Sequence, residues 1–296
     1  MQVLTVVFAL AAACSNAIRS MVQHAASIDI PKKDRGVRAV AFLFRQPLWL
    51  LGWLAAVGGF VFQALALHNG LLSVVQPLLV TELVFALVFR QFWIGQDVAP
   101  AAWTSAVVVC GSLAVFLLMA EPHGGHPTPD TAEWLSCLLT FGGIVAVLTV
   151  LAMRGSPVRR AALYAAAAAI SWALMAVFIK ATTDVLTSFG VVGMLERWPV
   201  YALAACGIAG TVLQQAALQS GPLSVSQPVL IVVDPAVAII LSVWLFDERF
   251  TGGTWKTAMG AAAFAVMAAG VVALSRTAPA DLAPAQPARP AGRTNR

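Results

Sequence analysis

Three ionisable side chains stand where an apolar chain should hold none. Glu82 and Asp234 each fall near the middle of a long apolar run, about 15 Å from its ends at 1.5 Å per helical residue. A bare carboxylate at that depth costs several kcal/mol, so each must face the protein interior, pair with a cation or carry a proton. Arg19 lies sixteen residues into the first apolar run, too deep for its stem to reach water easily. A guanidinium there neutralises Glu82 or Asp234, or grips an anionic ligand group with two parallel hydrogen bonds. Buried carboxylates are suited to proton or cation coupling; the plainer alternative is a structural salt bridge. Asn16, Gln23 and His24 share the run with Arg19, and Gln23 lies on its face at the i, i+4 spacing.

Two Gln-Pro pairs form the second constellation, Gln76-Pro77 and Gln227-Pro228. Proline removes a backbone donor and frees the carbonyl four residues earlier, so each helix is expected to bend or unwind there. Freed carbonyls beside a Gln amide make a polar patch inside the membrane; the alternative is that the prolines only shape helix packing. Pro235 adds a second break to its run. Gln63 and Gln214 are amides of the kind that hydrogen-bond between helices. Lys180, near the end of its run, is expected to snorkel to the surface. His123 and His126 flank Gly-Gly in a loop, too few ligands for a metal site.

These residues are carried by an unusually apolar chain. Of 296 residues, 60% are hydrophobic and 10% charged, against about a quarter charged in a soluble domain. Lipid must replace water over much of the surface. Apolar runs cover 3–27, 47–68, 71–91, 101–120, 132–152, 160–181, 197–218, 222–246 and 254–274. The expected fold is an all-α polytopic membrane protein with about nine spans in one domain, 1–276, followed by a disordered Pro/Ala/Arg-rich cytoplasmic tail, 277–296. The net charge of +5 does not indicate nucleic acid, because the basic residues fall at the ends of apolar runs. Thirteen lie on one side of a nine-span arrangement and four on the other. The positive-inside bias then puts the N-terminus outside and the tail in the cytoplasm of a plasma-membrane protein. Cys14, Cys110, Cys137 and Cys206 lie inside apolar runs and read as small core residues.

The chain repeats itself at an offset of 151. Residues 63–77 and 214–228 share Gln63/Gln214, Ala66/Ala217, Leu67/Leu218, Gly70/Gly221, Leu72/Leu223, Ser73/Ser224, Val74/Val225, Gln76/Gln227 and Pro77/Pro228. The register extends to Gly59/Gly210, Trp93/Trp244 and the acidic pair Asp97/Glu248. Glu82 and Asp234 miss that register by one residue. Five spans separate each element from its copy, and an odd number sets the two copies in opposite directions across the membrane. The expectation is two inverted halves, 1–120 and 160–276, joined by the connector 132–152, an architecture of many secondary transporters.

On these residues the chain resembles the drug/metabolite transporter superfamily, of the EamA-like type. The pattern is a helix ending Ala-Leu-x-x-Gly, a helix opening with a polar residue and Pro, and an acidic residue at its far end. Here it is Ala66-Leu67-His68-Asn69-Gly70 with Gln76-Pro77 and Asp97, and Ala217-Leu218-Gln219-Ser220-Gly221 with Gln227-Pro228 and Glu248. Members usually have ten spans; nine is the number expected of the NIPA-type magnesium transporters of the same superfamily, which the stretch 47–87 resembles. The resemblance implies alternating-access transport of a small molecule or ion, with magnesium permeation as an alternative. Magnesium keeps most of its waters, so Glu82 and Asp234 would serve it as outer-shell ligands, and Arg19 argues against a strongly cationic site. A non-transporting scaffold is a third reading, disfavoured by charges at mid-membrane. The chain has no HExxH, Walker A, G-x-S-x-G or DDxxD-like pattern, so neither enzyme chemistry nor a cofactor or resident metal is expected. Lipid is the surrounding partner, and a homodimer is compatible with the sequence.

Overall fold

The computed structural model describes residues 2–28, 47–93, 95, 97–125, 129–251 and 253–277. The basic segment 29–46, His126 and the tail from 278 lie outside the described residues, as do the side chains of Gln23 and His24. The elements in chain order are α1 (Gln2–Ile28), α2 (Pro47–Asn69), α3 (Leu72–Leu79), α4 (Glu82–Phe92), α5 (Pro100–Ala120), β1 (Pro122–Gly124), α6 (Thr131–Ala152), α7 (Pro157–Leu195), α8 (Pro199–Ser220), α9 (Leu223–Phe246), β2 (Glu248–Phe250) and α10 (Gly253–Thr277). Among the described residues, nine stretches are helical, long and apolar enough to cross a membrane, with α3 and α4 together making one of them. Large side chains such as Leu118, Leu139 and Val192 stand exposed on outward faces, which suits a lipid solvent. This is an all-α polytopic membrane protein.

The expected break at a Gln-Pro pair occurs in one copy and not in the other, and one span is longer than expected. The run at 71–91 is broken into α3 and α4 by a turn at Val80 and Thr81, where Val80 and Thr81 donate three residues back to the Pro77 and Leu78 carbonyls. The Thr81 hydroxyl also donates to Leu78 O at 2.7 Å, which supplies the turn with a bond that the helix ladder gives up. The matching run does not break: α9 passes through both Pro228 and Pro235 as one helix. Position 232, in register with Thr81, is Val, and it has no hydroxyl to hold such a turn. The second difference is α7, which runs 39 residues rather than ending at 181. Its continuous part, up to the kink at Gly190, is about 50 Å long at 1.5 Å per residue, well over the apolar thickness of a bilayer. Residues 182–188, just beyond the apolar run, are mostly polar, and Thr183 and Thr187 hydroxyls bond back to Ile179 and Thr183 carbonyls. Only Gly190, at φ 71°, leaves the helical path.

Packing is dominated by helix pairs. α1 lies along α2, α7 along α8, and α5 along α10; α9 packs on α7, and α6 on α7. Two glycines allow the tightest approaches. A Cβ on Gly70 would collide with the Thr5 side chain, and one on Gly221 with the Pro157 carbonyl, so Gly70 makes room for a side chain and Gly221 for a backbone. Trp134, Phe178 and Trp198 form an aromatic group with ring centres 5.2–5.6 Å apart, tying α6 to α7 and to the start of α8. Counting spans from Gln2 assigns every loop to one of two faces. The face on which the chain begins, called face A, carries 69–72, 121–130, 196–198 and 247–252. The opposite face, face B, carries 93–99, 153–156 and 221–222.

Candidate functional site

The break in span 3 sets up the central group. Glu82 opens α4 immediately after the turn, and Gln76 sits on α3 with only 3% of its surface exposed. α1 packs against both α3 and α4, and α9 packs against α3. This brings Arg19 of α1 and Asp234 of α9 toward the break, within electrostatic range of Glu82, although among the described residues no ion pair within 4.0 Å joins the three. Arg19 Nε, Gln76 Nε2 and Asp234 Oδ1 are buried without a hydrogen-bond partner. Unpaired buried polar atoms are rare and costly in native proteins; among the described residues six side chains carry one, and Arg19, Gln76 and Asp234 are three of them.

The other predicted residues are less concentrated. Pro77 and Pro228 are buried in α3 and α9, and Gln227 is half-buried. Gln227 lies in the second turn of α9, near face B, and Gln76 in the second turn of α3, near face A. They sit at matching depths from opposite faces and not side by side. Gln63 and Gln214 are half-buried on α2 and α8. Asn16 is accommodated by Gly59, whose Cβ would come within 2.8 Å of Asn16 Oδ1.

A second polar cluster, at face A, holds residues that sequence reasoning undervalued. Glu248 is fully buried. Its carboxylate accepts from Leu72 N at 2.9 Å, Ser73 N at 3.1 Å and the Ser73 hydroxyl at 2.6 Å. It therefore caps the N-terminus of α3, where free N–H groups and the helix dipole favour an anion. Lys180 does not snorkel. Its ammonium donates to Leu67 O at 3.1 Å and Gly70 O at 2.9 Å, and lies 5.4 Å from the centre of the Phe246 ring. The turn between α2 and α3 is thus held by a cation on its carbonyls and an anion on its amides, both from the second half of the chain. His68 with Asp184 at 3.2 Å extends the clamp. Outside it, β1 pairs antiparallel with β2, with Pro122 opposite Phe250, His123 opposite Arg249 and Gly124 opposite Glu248. Lys256 bonds Glu121 at 2.6 Å, and this ammonium holds the Glu121 carboxyl below the usual range. The signal for Glu248 was its register with Asp97; nothing local announced Lys180.

An apolar groove of about 540 Å³ is lined by Phe60, Met175, Val200, Leu203, Gly207 and Thr211. It contains none of the buried charges and opens between α2, α7 and α8, where an acyl chain would fit better than a polar ligand. Among the described residues no group of three metal-ligating side chains converges.

No protein-family model matches this chain, and no solved structure matches it. It is similar to an uncharacterized protein of Corynebacterium glutamicum, 28% identical over 276 residues, a stretch covering 93% of this chain and 95% of that one. The similarity runs nearly the whole length of both chains, so it concerns the membrane-spanning body and not one segment of it.

Proposed function

We propose that the protein is a secondary transporter of a small polar metabolite, working by alternating access and coupled to a proton or cation. The observation that carries this reading is the set of ionisable groups Arg19, Glu82 and Asp234 around a broken helix at mid-membrane, with Arg19 Nε and Asp234 Oδ1 buried and unpartnered, and Gln76 Nε2, likewise unpartnered, on the α3 side of the break toward face A. With all three ionisable groups charged, the group has one net negative charge in a low-dielectric interior. Such a group favours taking up one proton or one cation. Gln76 supplies the amide that an uncharged part of the ligand would meet.

The inverted-repeat reading supports the same conclusion. Gly59 makes room between α1 and α2, and its register mate Gly210, whose Cβ would lie 3.1 Å from the Trp172 ring, does so between α7 and α8. Gly70 and Gly221, also mates, make close approaches within the same two helix pairs, Gly70 to the Thr5 side chain and Gly221 to the Pro157 backbone. Two halves built alike but facing opposite ways can exchange conformations, which is what alternating access requires. The drug/metabolite transporter resemblance stands on the residue pattern and agrees with this reading.

The test is a thermal-shift screen of the purified protein against amino acids, organic acids, amines, nucleosides and divalent cations. A ligand at about 100 times its dissociation constant stabilises by about 2.7 kcal/mol, well within detection. One chemical class is expected to stabilise the protein, with the response lost in Gln76→Leu. Stabilisation by magnesium alone would favour a cation permease, and no response from any class would sink the metabolite reading. We also propose a plasma-membrane location with face A outside. A C-terminal reporter active only outside the cytoplasm would reverse that orientation.

A further inference from the structure

The clamp at face A has a register mate at face B that is not engaged. Glu248 holds the amides of Leu72 and Ser73. The offset of 151 converts these three positions into Asp97, Leu223 and Ser224, an acid and the same two residue types. Asp97 lies in the loop before α5, on the face where α9 begins with Leu223 and Ser224. In the structure Asp97 and Ser224 are exposed and Leu223 is half-buried. Among the described residues, α9 has no side-chain acceptor at its first amides, and Asp97 makes no hydrogen bond. One face is therefore latched, and the parts of an equivalent latch lie unjoined on the other.

We propose that Glu248 and Asp97 are alternate latches: Glu248 on Leu72 and Ser73 closes face A, and Asp97 on Leu223 and Ser224 closes face B, one at a time. This rests on the transporter reading above and adds the residues that would gate it. The physical case has three parts. An acid at a helix N-terminus satisfies donors that the helix cannot, and the Glu248 geometry demonstrates that this sequence motif, a Leu-Ser helix start, accepts one. The acid and the helix start belong to opposite halves of the chain at each face, so joining them requires the halves to approach there. Rigid halves rocking about a central site that approach at one face must separate at the other, which makes the two latches exclusive.

The test is oxidative cross-linking of the full chain in membranes, with Cys14, Cys110, Cys137 and Cys206 replaced by Ala. One variant carries Ser73→Cys with Glu248→Cys, and the other Asp97→Cys with Ser224→Cys. The second pair is solvent-exposed, so its substitutions spare folding. Both are expected to cross-link with copper–phenanthroline, the first fast and the second slowly. Adding Glu248→Gln, or the milder Ser73→Ala, to the second variant loosens face A, and the rate of its cross-link should rise roughly tenfold, as a population shift requires. No cross-link of the second pair in either background, or a rate indifferent to Glu248→Gln and to Ser73→Ala, would overturn the proposal. The readout needs no ligand. Alternating cross-links in a protein that binds no metabolite would keep the latches and discard the transport reading. Ligand binding that depends on Gln76, without any cross-link of the second pair, would do the reverse.

Discussion

Replacing Glu248 by Gln keeps the length and shape of the side chain and removes its charge. The carboxylate accepts three hydrogen bonds with no exposure to solvent. An amide has one oxygen, which can serve either Leu72 N or Ser73 N, and it turns a donor toward the other. The Ser73 hydroxyl can rotate and accept from that amide, but one backbone N–H is left buried and unpaired. That costs about 1–3 kcal/mol, and the surviving bonds fall from charged to neutral strength, roughly a further 1 kcal/mol. Lys180 also loses the acid nearest to it, although its bonds to Leu67 and Gly70 carbonyls remain. The sum is about 3 kcal/mol. Ser73→Ala deletes a single hydroxyl bond to the charged group and should cost about half as much. The measurement is reversible unfolding in mixed detergent micelles, followed by circular dichroism. A Glu248→Gln unfolding free energy within about 0.5 kcal/mol of wild type, the usual range for a surface change, would refute the assignment of Glu248 as a buried cap.

Arg19→Ala removes the cation within electrostatic range of Glu82 and should destabilise by about 1–2 kcal/mol, with part of the loss recovered by adding Glu82→Gln; the same unfolding assay reads both, and no recovery would deny the coupling. Gln76→Leu replaces a buried amide whose nitrogen has no partner, so the thermal midpoint should rise while ligand-induced stabilisation vanishes, a trade between stability and function. Gly70→Ala would press on the Thr5 side chain and Gly221→Ala on the Pro157 backbone, and each should cost about 1–3 kcal/mol as overpacking, seen as a lower midpoint; equal tolerance of both would deny that the contacts are tight.

The spans were legible because hydropathy needs only composition and length, and the nine apolar runs coincide with the helices at most ends. Where they differ, the cause is a side chain that hydropathy ignores. The Thr81 hydroxyl supports a turn that Val232 cannot, so one Gln-Pro helix breaks and its copy does not. α7 overruns its apolar stretch because nothing before Gly190 stops it. Mid-membrane position alone marked Arg19, Glu82 and Asp234, since a charge there needs a reason. Which carboxylate faces Arg19 was not legible, because it depends on how α1 sits against α3, α4 and α9. Glu248 and Ser73 are 175 residues apart in the chain; register equated Glu248 with Asp97 but said nothing of which copy is engaged. Lys180 looked like an ordinary boundary lysine because its acceptors, the carbonyls of Leu67 and Gly70, belong to another helix end.

The two copies of the repeat diverge where divergence would bias an equilibrium. Glu248 is backed by the Lys180 ammonium, which acts on the same turn from the other side. The position in register with Lys180 is 29, an Asp in the sequence, so the repeat does not supply a second lysine there. Asp97 is also one methylene shorter than Glu248, and a shorter arm reaches two amides only if the halves come closer. Both differences favour the state closed at face A. A gap of about 1.4 kcal/mol already makes the other state a tenth as populated, and loss of two or three hydrogen bonds can supply it. A ligand reverses such a gap only through different affinities for the two states. The groups able to provide that difference are those at mid-membrane, where taking up a proton or cation changes the net charge of Arg19, Glu82 and Asp234 by a whole unit. On this argument the face at which the chain begins stays shut until the occupancy of the central group changes, and the latches set the threshold that the change must exceed.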